Sequence, residues 1–174
     1  MERIDKIINH PLFIEHMEAN GVAEKDRIFC RHDMAHALDV ARIGRIMAAE
    51  EGYNVEMSLL YGAALLHDIG RHLQYEKGIP HEVASAQIAP VILEECGFSS
   101  RENKTIVEAI EGHRGEKKGS LKDGNASVET DCVESKTLAE LLYRADKASR
   151  ACYACEAKIK CNWDDAKKNL SLKY

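Results

Sequence analysis

Apolar residues recur at helical spacing in five stretches of this chain, and each stripe carries a histidine or an aspartate at one end. Val40, Ile43 and Met47 follow His36 along one face of a long helix that opens at Cys30-Arg31-His32-Asp33 and runs to about Glu51, where Gly52 caps it. Leu60 and Ala64 lead to His67, inside the run Ala64-Leu65-Leu66-His67-Asp68-Ile69-Gly70-Arg71. His81 heads the stripe of Ser85, Ile88 and Ile92, in a helix that starts at Pro80 and stops before Gly97. Ile106 and Ile110 lead to His113, after a cap at Ser99 or Ser100, and Leu138 and Leu142 lead to Asp146 in a helix from about Ser135 to Ala151.

The remaining segments fill in around these five. The pattern predicts a short helix over roughly 2–9 ended by Pro11, and a second over 12–19 closed by Gly21. Asn54 is placed to cap the helix of Leu60, and 69–79 reads as a loop. Arg114 to about Glu134, rich in Gly, Lys, Asp and Ser, reads as a long surface loop. A cysteine-bearing stretch then leads to a short polar helix, with Trp163 as a packing anchor for the tail.

A chain of 174 residues suits one domain, and 45% apolar with 30% charged residues and only three prolines suits a soluble, all-α fold. The net charge of -5 argues against a general nucleic-acid binder, though it allows local basic patches. Charge begins at Glu2 and Arg3, and no apolar run reaches the length of a membrane span, so a cytoplasmic protein without membrane contact is expected. In that compartment six cysteines are thiols or metal ligands rather than disulfides.

One histidine on an apolar stripe is ordinarily a hydrogen-bonded core residue. Five stripes that converge with four imidazoles and two carboxylates lack the donors to satisfy one another. A metal centre removes the deficit, and six ligands exceed what one zinc ion takes, pointing to two ions of iron or manganese type with Asp68 able to bridge them. His32, four residues before His36, is a rival ligand on this reading.

His36 within His-Ala-Leu-Asp-Val-Ala, the pair His67-Asp68, and Asp146 within Arg-Ala-Asp-Lys resemble the H…HD…D signature of the HD-domain superfamily. His81 and His113 resemble the two extra histidines of its dinuclear branches. The resemblance covers roughly 28–150 and implies a helical bundle around a metal centre, with 1–151 as the domain and 152–174 as a tail packed on it. It implies His36, His67, Asp68 and Asp146 as core ligands, with His81 and His113 completing a second ion. Iron and manganese head the candidate metals, followed by zinc, nickel, cobalt or magnesium. His32 falls outside the pattern and is expected behind the ligands or at the surface.

The activity implied is metal-dependent hydrolysis of a small phosphate ester or anhydride, usually a nucleotide, by water activated at the metal. Asp68 would serve the reaction directly, and Arg71 and Lys147, with Arg150 nearby, could hold phosphate or simply form a solvated charged face. Arg114, Lys117, Lys118 and Lys122 could close over an anion or lie in a plain loop. The same ligands resemble a minority of diiron oxygenases, and a silent nucleotide- or metal-sensing domain is a third possibility. The Gly-Tyr-Pro extension of cyclic-dinucleotide phosphodiesterases is absent.

Cys152-x2-Cys155-x5-Cys161 has a spacing that could hold zinc or an iron–sulfur cluster, one ligand short. Cys30 precedes His36 by as many residues as Cys152 follows Asp146, about 9 Å of helix in each case. If the two helices are antiparallel and meet at one metal, both cysteines project from the same end, and Cys30 becomes the fourth ligand. Cys96 and Cys132 have no partners in sequence.

Overall fold

The computed structural model describes the backbone of residues 1–114 and 129–174, and their side chains apart from those of 129–134. Lys117, Lys118 and Lys122, expected in a surface loop, and the thiol of Cys132 lie outside the described residues. The described chain is all-helical: α1 Glu2–Ile8, α2 Pro11–Ala23, α3 Met34–Glu51, α4 Met57–Leu66, α5 Arg71–Lys77, α6 His81–Glu95, α7 Ser100–Gly112 and α8 Glu129–Ala148.

The apolar run of α4 decides the arrangement. Its residues from Ser58 to Leu66 are buried apart from the partly covered Tyr61, so it must be enclosed on every side. Helices α1, α3, α6, α7 and α8 enclose it, with α8 also lying along α3 and α7. Leu60, Leu66, Ile92, Ile106, Leu138 and Leu142 meet in one continuous core. Helix α3 ends where its sequence predicts, with Gly52 leaving in the left-handed region at φ 73°, but it begins at Met34 instead of Cys30, because the Asp33 carboxylate caps it by accepting from His36 N at 3.0 Å. A reciprocal capping box between Ser99 and Glu102 starts α7.

Several expectations are corrected. Pro11 begins α2 instead of ending α1, because a proline lacks only an N–H that the first helical position leaves unpaired. Gly21 lies inside α2, a cost of about 1 kcal/mol that buried Phe13 and Asn20 offset. Residues 71–77 form α5 although they lack an apolar stripe, since Asn20 Oδ1 accepts from His72 N at 2.8 Å and docks its first turn. Pro80 stands one place outside α6, and Glu56, not Asn54, precedes α4. Helix α8 starts at Glu129, within the segment expected to be loop, and stops at Ala148. The tail is a 3-10 turn, Cys152–Ala154, followed by turns in place of a helix, because its polar residues have no apolar face to dock.

Two polar contacts set the ends of the elements that frame the centre of the bundle. Gly70 follows the His67-Asp68 pair and lies so close to α6 that a Cβ there would stand 2.6 Å from Ala84 Cβ and 2.7 Å from Ser85 N. Its own N–H donates to Ser85 Oγ at 3.0 Å. Glu24, buried at the end of α2, accepts from His32 N at 2.8 Å, His32 Nδ1 at 2.5 Å and Tyr75 Oη at 2.6 Å. Burial alone would raise its carboxyl, but these donors, His32 first, hold it down at about 2.

Gly70→Ala is expected to lower the melting temperature by roughly 5 °C or more, since rigid backbone of α6 must move to admit the methyl; an unchanged thermal transition would contradict the packing. Glu24→Gln is expected to cost roughly 2 kcal/mol of stability at pH 7 in urea titrations. The folded carboxyl titrates below the unfolded value of 4.5, so its contribution is complete above that pH and fades toward about 2. The gap between wild type and variant should therefore narrow across that acid window.

Candidate metal centre

Six side chains expected together from the sequence do converge, from five helices. His36 stands in the first turn of α3, His67 and Asp68 just beyond α4, His81 at the first residue of α6, His113 just beyond α7, and Asp146 near the end of α8. All six are buried. Ligand atoms of His36, His67, Asp68 and Asp146 lie within 4.8 Å of one another, and so do those of Asp68, His81 and His113. Asp68 belongs to both groups. Its Oδ2 lies 3.0 Å from His67 Nε2 and 3.6 Å from His36 Nε2, while Oδ1 lies 3.2 Å from His81 Nε2.

The second nitrogen of each ring decides what the first can do. His67 Nδ1 donates to Ala64 O at 2.8 Å, and His113 Nδ1 donates to Ile110 O at 2.5 Å, each a carbonyl left open at its own helix end. Ser149 Oγ donates to Asp146 O at 2.8 Å and so accepts from His36 Nδ1 at 3.1 Å. Three imidazoles therefore present a bare Nε2 to the centre, the tautomer of a metal ligand. His81 Nδ1 has two neighbours in competition: Gln74 Oε1 at 2.8 Å selects the same tautomer, and Arg71 Nη1 at 2.7 Å selects the opposite one.

The chemistry of this donor set fits a divalent metal. Buried His67 Nε2 and Asp68 Oδ1 have no hydrogen-bond partner although both lie among polar atoms, the deficit a cation resolves. Burial pushes His81 down to about 3 and His113 to about 4, so both are neutral and available near pH 7. Burial would raise Asp68, but His67, His32 and His36 outweigh it and hold the carboxyl well below the usual range. Burial would likewise depress His67, yet Asp68 beside it turns the balance upward.

His32 is neither on the helical face shared with His36 nor at the surface. It precedes α3, is buried, and points Nε2 at Asp68 Oδ2 from 3.8 Å while Glu24 holds Nδ1. Arg150 is buried too: its Nη2 donates to Asp146 Oδ1 at 2.6 Å and lies 3.3 Å from His36 Nε2. Lys147 Nζ donates to the other Asp146 oxygen at 2.7 Å. Arg71 Nη1 lies 3.9 Å from Asp68 Oδ1. Sequence reasoning does not single out Glu24, Gln74 or Ser149, which orient three of the imidazoles. The usable signals were a carboxylate closing α2, and a serine three residues past Asp146.

The centre opens into a cavity of about 860 Å³. Ten lysines and arginines and two carboxylates, Asp68 and Asp146, line it, reversing the sign of the net charge of -5. Arg71, Lys147 and Arg150 line it beside Asp68 and Asp146, and the tail contributes Trp163, Lys167 and Lys168 to the lining. Cys30, Cys152, Cys155 and Cys161 also line the cavity, although Cys30 precedes α3 and Cys152 follows α8 instead of extending either helix. No helix among the described residues is long and apolar enough to cross a membrane.

Comparison with known proteins agrees with this geometry. A protein of Clostridium beijerinckii, described only as "Uncharacterized protein", is 39% identical over 174 residues, all of both chains. Ribonuclease Y of Clostridium kluyveri is 26% identical over 154 residues, which is 84% of this chain and 28% of that protein. Ribonuclease Y of a Sulfurovum species is 27% identical over 125 residues, 72% of this chain and 23% of that protein. The chain thus spans less than a third of the Ribonuclease Y relatives it resembles. No solved structure matches. The HD domain family model matches residues 34–151, from the start of α3 past Asp146, and the chain belongs to that family.

Proposed function

We propose that this protein is a metal-dependent phosphohydrolase acting on a small phosphate ester or anhydride of the nucleotide class. The observation that carries the reading is the conjunction of a buried His/Asp centre with a cavity whose charge is strongly positive. His36, His67, Asp68 and Asp146 would hold one divalent ion, and Asp68, His81 and His113 a second, with iron or manganese the best match to this mixed imidazole and carboxylate set. Such ions, when bound, supply activated water near neutral pH and neutralise charge on phosphoryl oxygens.

The chain's own residues do the rest. Ala64 O, Ile110 O and Ser149 fix three imidazoles in the ligating tautomer, and Gln74 does so for His81 when Arg71 swings into the cavity. Arg71 and Lys147 then orient the phosphate, Arg71 by a two-pronged hydrogen bond and Lys147 as a point charge. Arg150, buried against Asp146, keeps that carboxylate aimed at the centre. The Ribonuclease Y relatives extend the same reaction class to a polymer, but a cavity of about 860 Å³ walled by the tail favours a mononucleotide or dinucleotide.

Asp68→Ala is expected to lose bound metal, read by elemental analysis, and all hydrolysis, while keeping the helical circular dichroism of wild type. Hydrolysis that survives in this variant rules out the two-ion centre. Lys147→Ala is expected to raise KM for a nucleotide by roughly tenfold, the effect of one charged hydrogen bond of about 1.5 kcal/mol. The assay is phosphate release from a nucleotide panel under anaerobic conditions with iron and manganese supplied. A short RNA and an oxygen electrode run in parallel, and oxygen uptake without phosphate release would replace the hydrolase with an oxygenase.

A further inference from the structure

The C-terminal tail is ordered without a core to order it. Beyond Arg150 the buried residues are Cys152 and Ala157, while Ile159 is 95% exposed. Asn169 fastens the far end, donating from Nδ2 to Lys147 O at 2.7 Å, Ala148 O at 3.2 Å and Arg150 O at 2.9 Å. The first two are carbonyls that the end of α8 leaves open, and Arg150 O, just past the helix, also accepts from Cys152 N at 2.9 Å. Between the start of the tail and that clasp the chain makes a loop of turns with little apolar burial. Fixing so many residues costs roughly 1 kcal/mol or more each, which small domains offset with a disulfide or a metal.

The loop carries three cysteines that line the cavity. A 3-10 turn has three residues per revolution, so Cys152 and Cys155 face the same way, and the bond from Cys155 N to Cys152 O at 3.3 Å closes that turn. Cys161 and, from the segment before α3, Cys30 line the same cavity. All four are free. Burial raises the Cys30 thiol, buried Arg150 opposes the rise, and Cys152 and Cys155 add to it, so three sulfurs compete for one region beside one cation.

The spacing of the sulfurs selects among metals. Zinc, with bonds of about 2.3 Å, draws four sulfurs to within roughly 4 Å of one another. Among the described residues the groups within 4.8 Å are the two His/Asp sets, and the cysteines form no such group. A polynuclear iron–sulfur cluster takes thiolates set further apart around a larger body. We propose that Cys30, Cys152, Cys155 and Cys161 hold an iron–sulfur cluster that fastens the tail as a wall of the cavity.

The test uses the full chain purified anaerobically from iron-replete cells, with acid-labile sulfide as the readout that the His/Asp centre cannot produce. Wild type should contain sulfide and show a broad visible absorption that bleaches with dithionite. Cys155→Ser and Cys161→Ser should lose both, and their tails should become sensitive to trypsin at Lys158 and Lys160. Asp68→Ala and Cys96→Ser should keep the sulfide. Wild type with iron but no sulfide, or with zinc instead, overturns the proposal, as does sulfide that persists in both tail variants. The wild-type measurement stands even if a variant fails to fold, and it is independent of whether any nucleotide is hydrolysed.

Discussion

A carboxylate in the middle of the bundle, with nothing to donate to one of its oxygens, is the constraint on which the rest depends. Asp68 stands beside the imidazoles of His32, His36, His67 and His81, and Oδ1 remains without a hydrogen-bond partner. A charge left so would cost several kcal/mol, and protonating it is opposed by the histidines that hold its pKa down. Divalent cations held by the two groups that share Asp68 would satisfy both of its oxygens. The enclosed α4, the close approach of Gly70 to α6 and the cap at Asp33 are the means by which the helices bring those groups to one point.

The centre is built by a recurring local device. In α4 and α7 the ligand histidine stands just past the helix end, where its Nδ1 satisfies a carbonyl of its own last turn. The same bond closes the helix and chooses the ring tautomer, so helix termination and ligand preparation are one event. His36 reaches a similar state from the other end of a helix, through Ser149 of the neighbouring chain segment.

The six clustered side chains were legible because five of them lie at one end of an apolar stripe and Asp68 adjoins His67, and burial makes a polar residue at such a position informative. The family resemblance rests on the same positions. What could not be read was whatever depends on polar contacts between distant segments. Helix α5 has no stripe to announce it and exists because Asn20 docks its first turn. His32 looked like a helical neighbour of His36, yet Asp33 begins the helix after it, and Glu24 turns its ring inward. The tail looked helical from its composition, but composition carries no information about a surface for it to pack on.

The order in which the chain is synthesised gives the centre a direction in time. His36, His67, Asp68, His81 and His113 leave the ribosome well before Asp146, which sits near the end of α8 and completes the first ligand group. A nascent chain therefore exposes a partial set of imidazoles that can capture an ion without the closing carboxylate. Which metal the protein acquires in a cell can then depend on what is available during that interval, as well as on the affinity of the finished site.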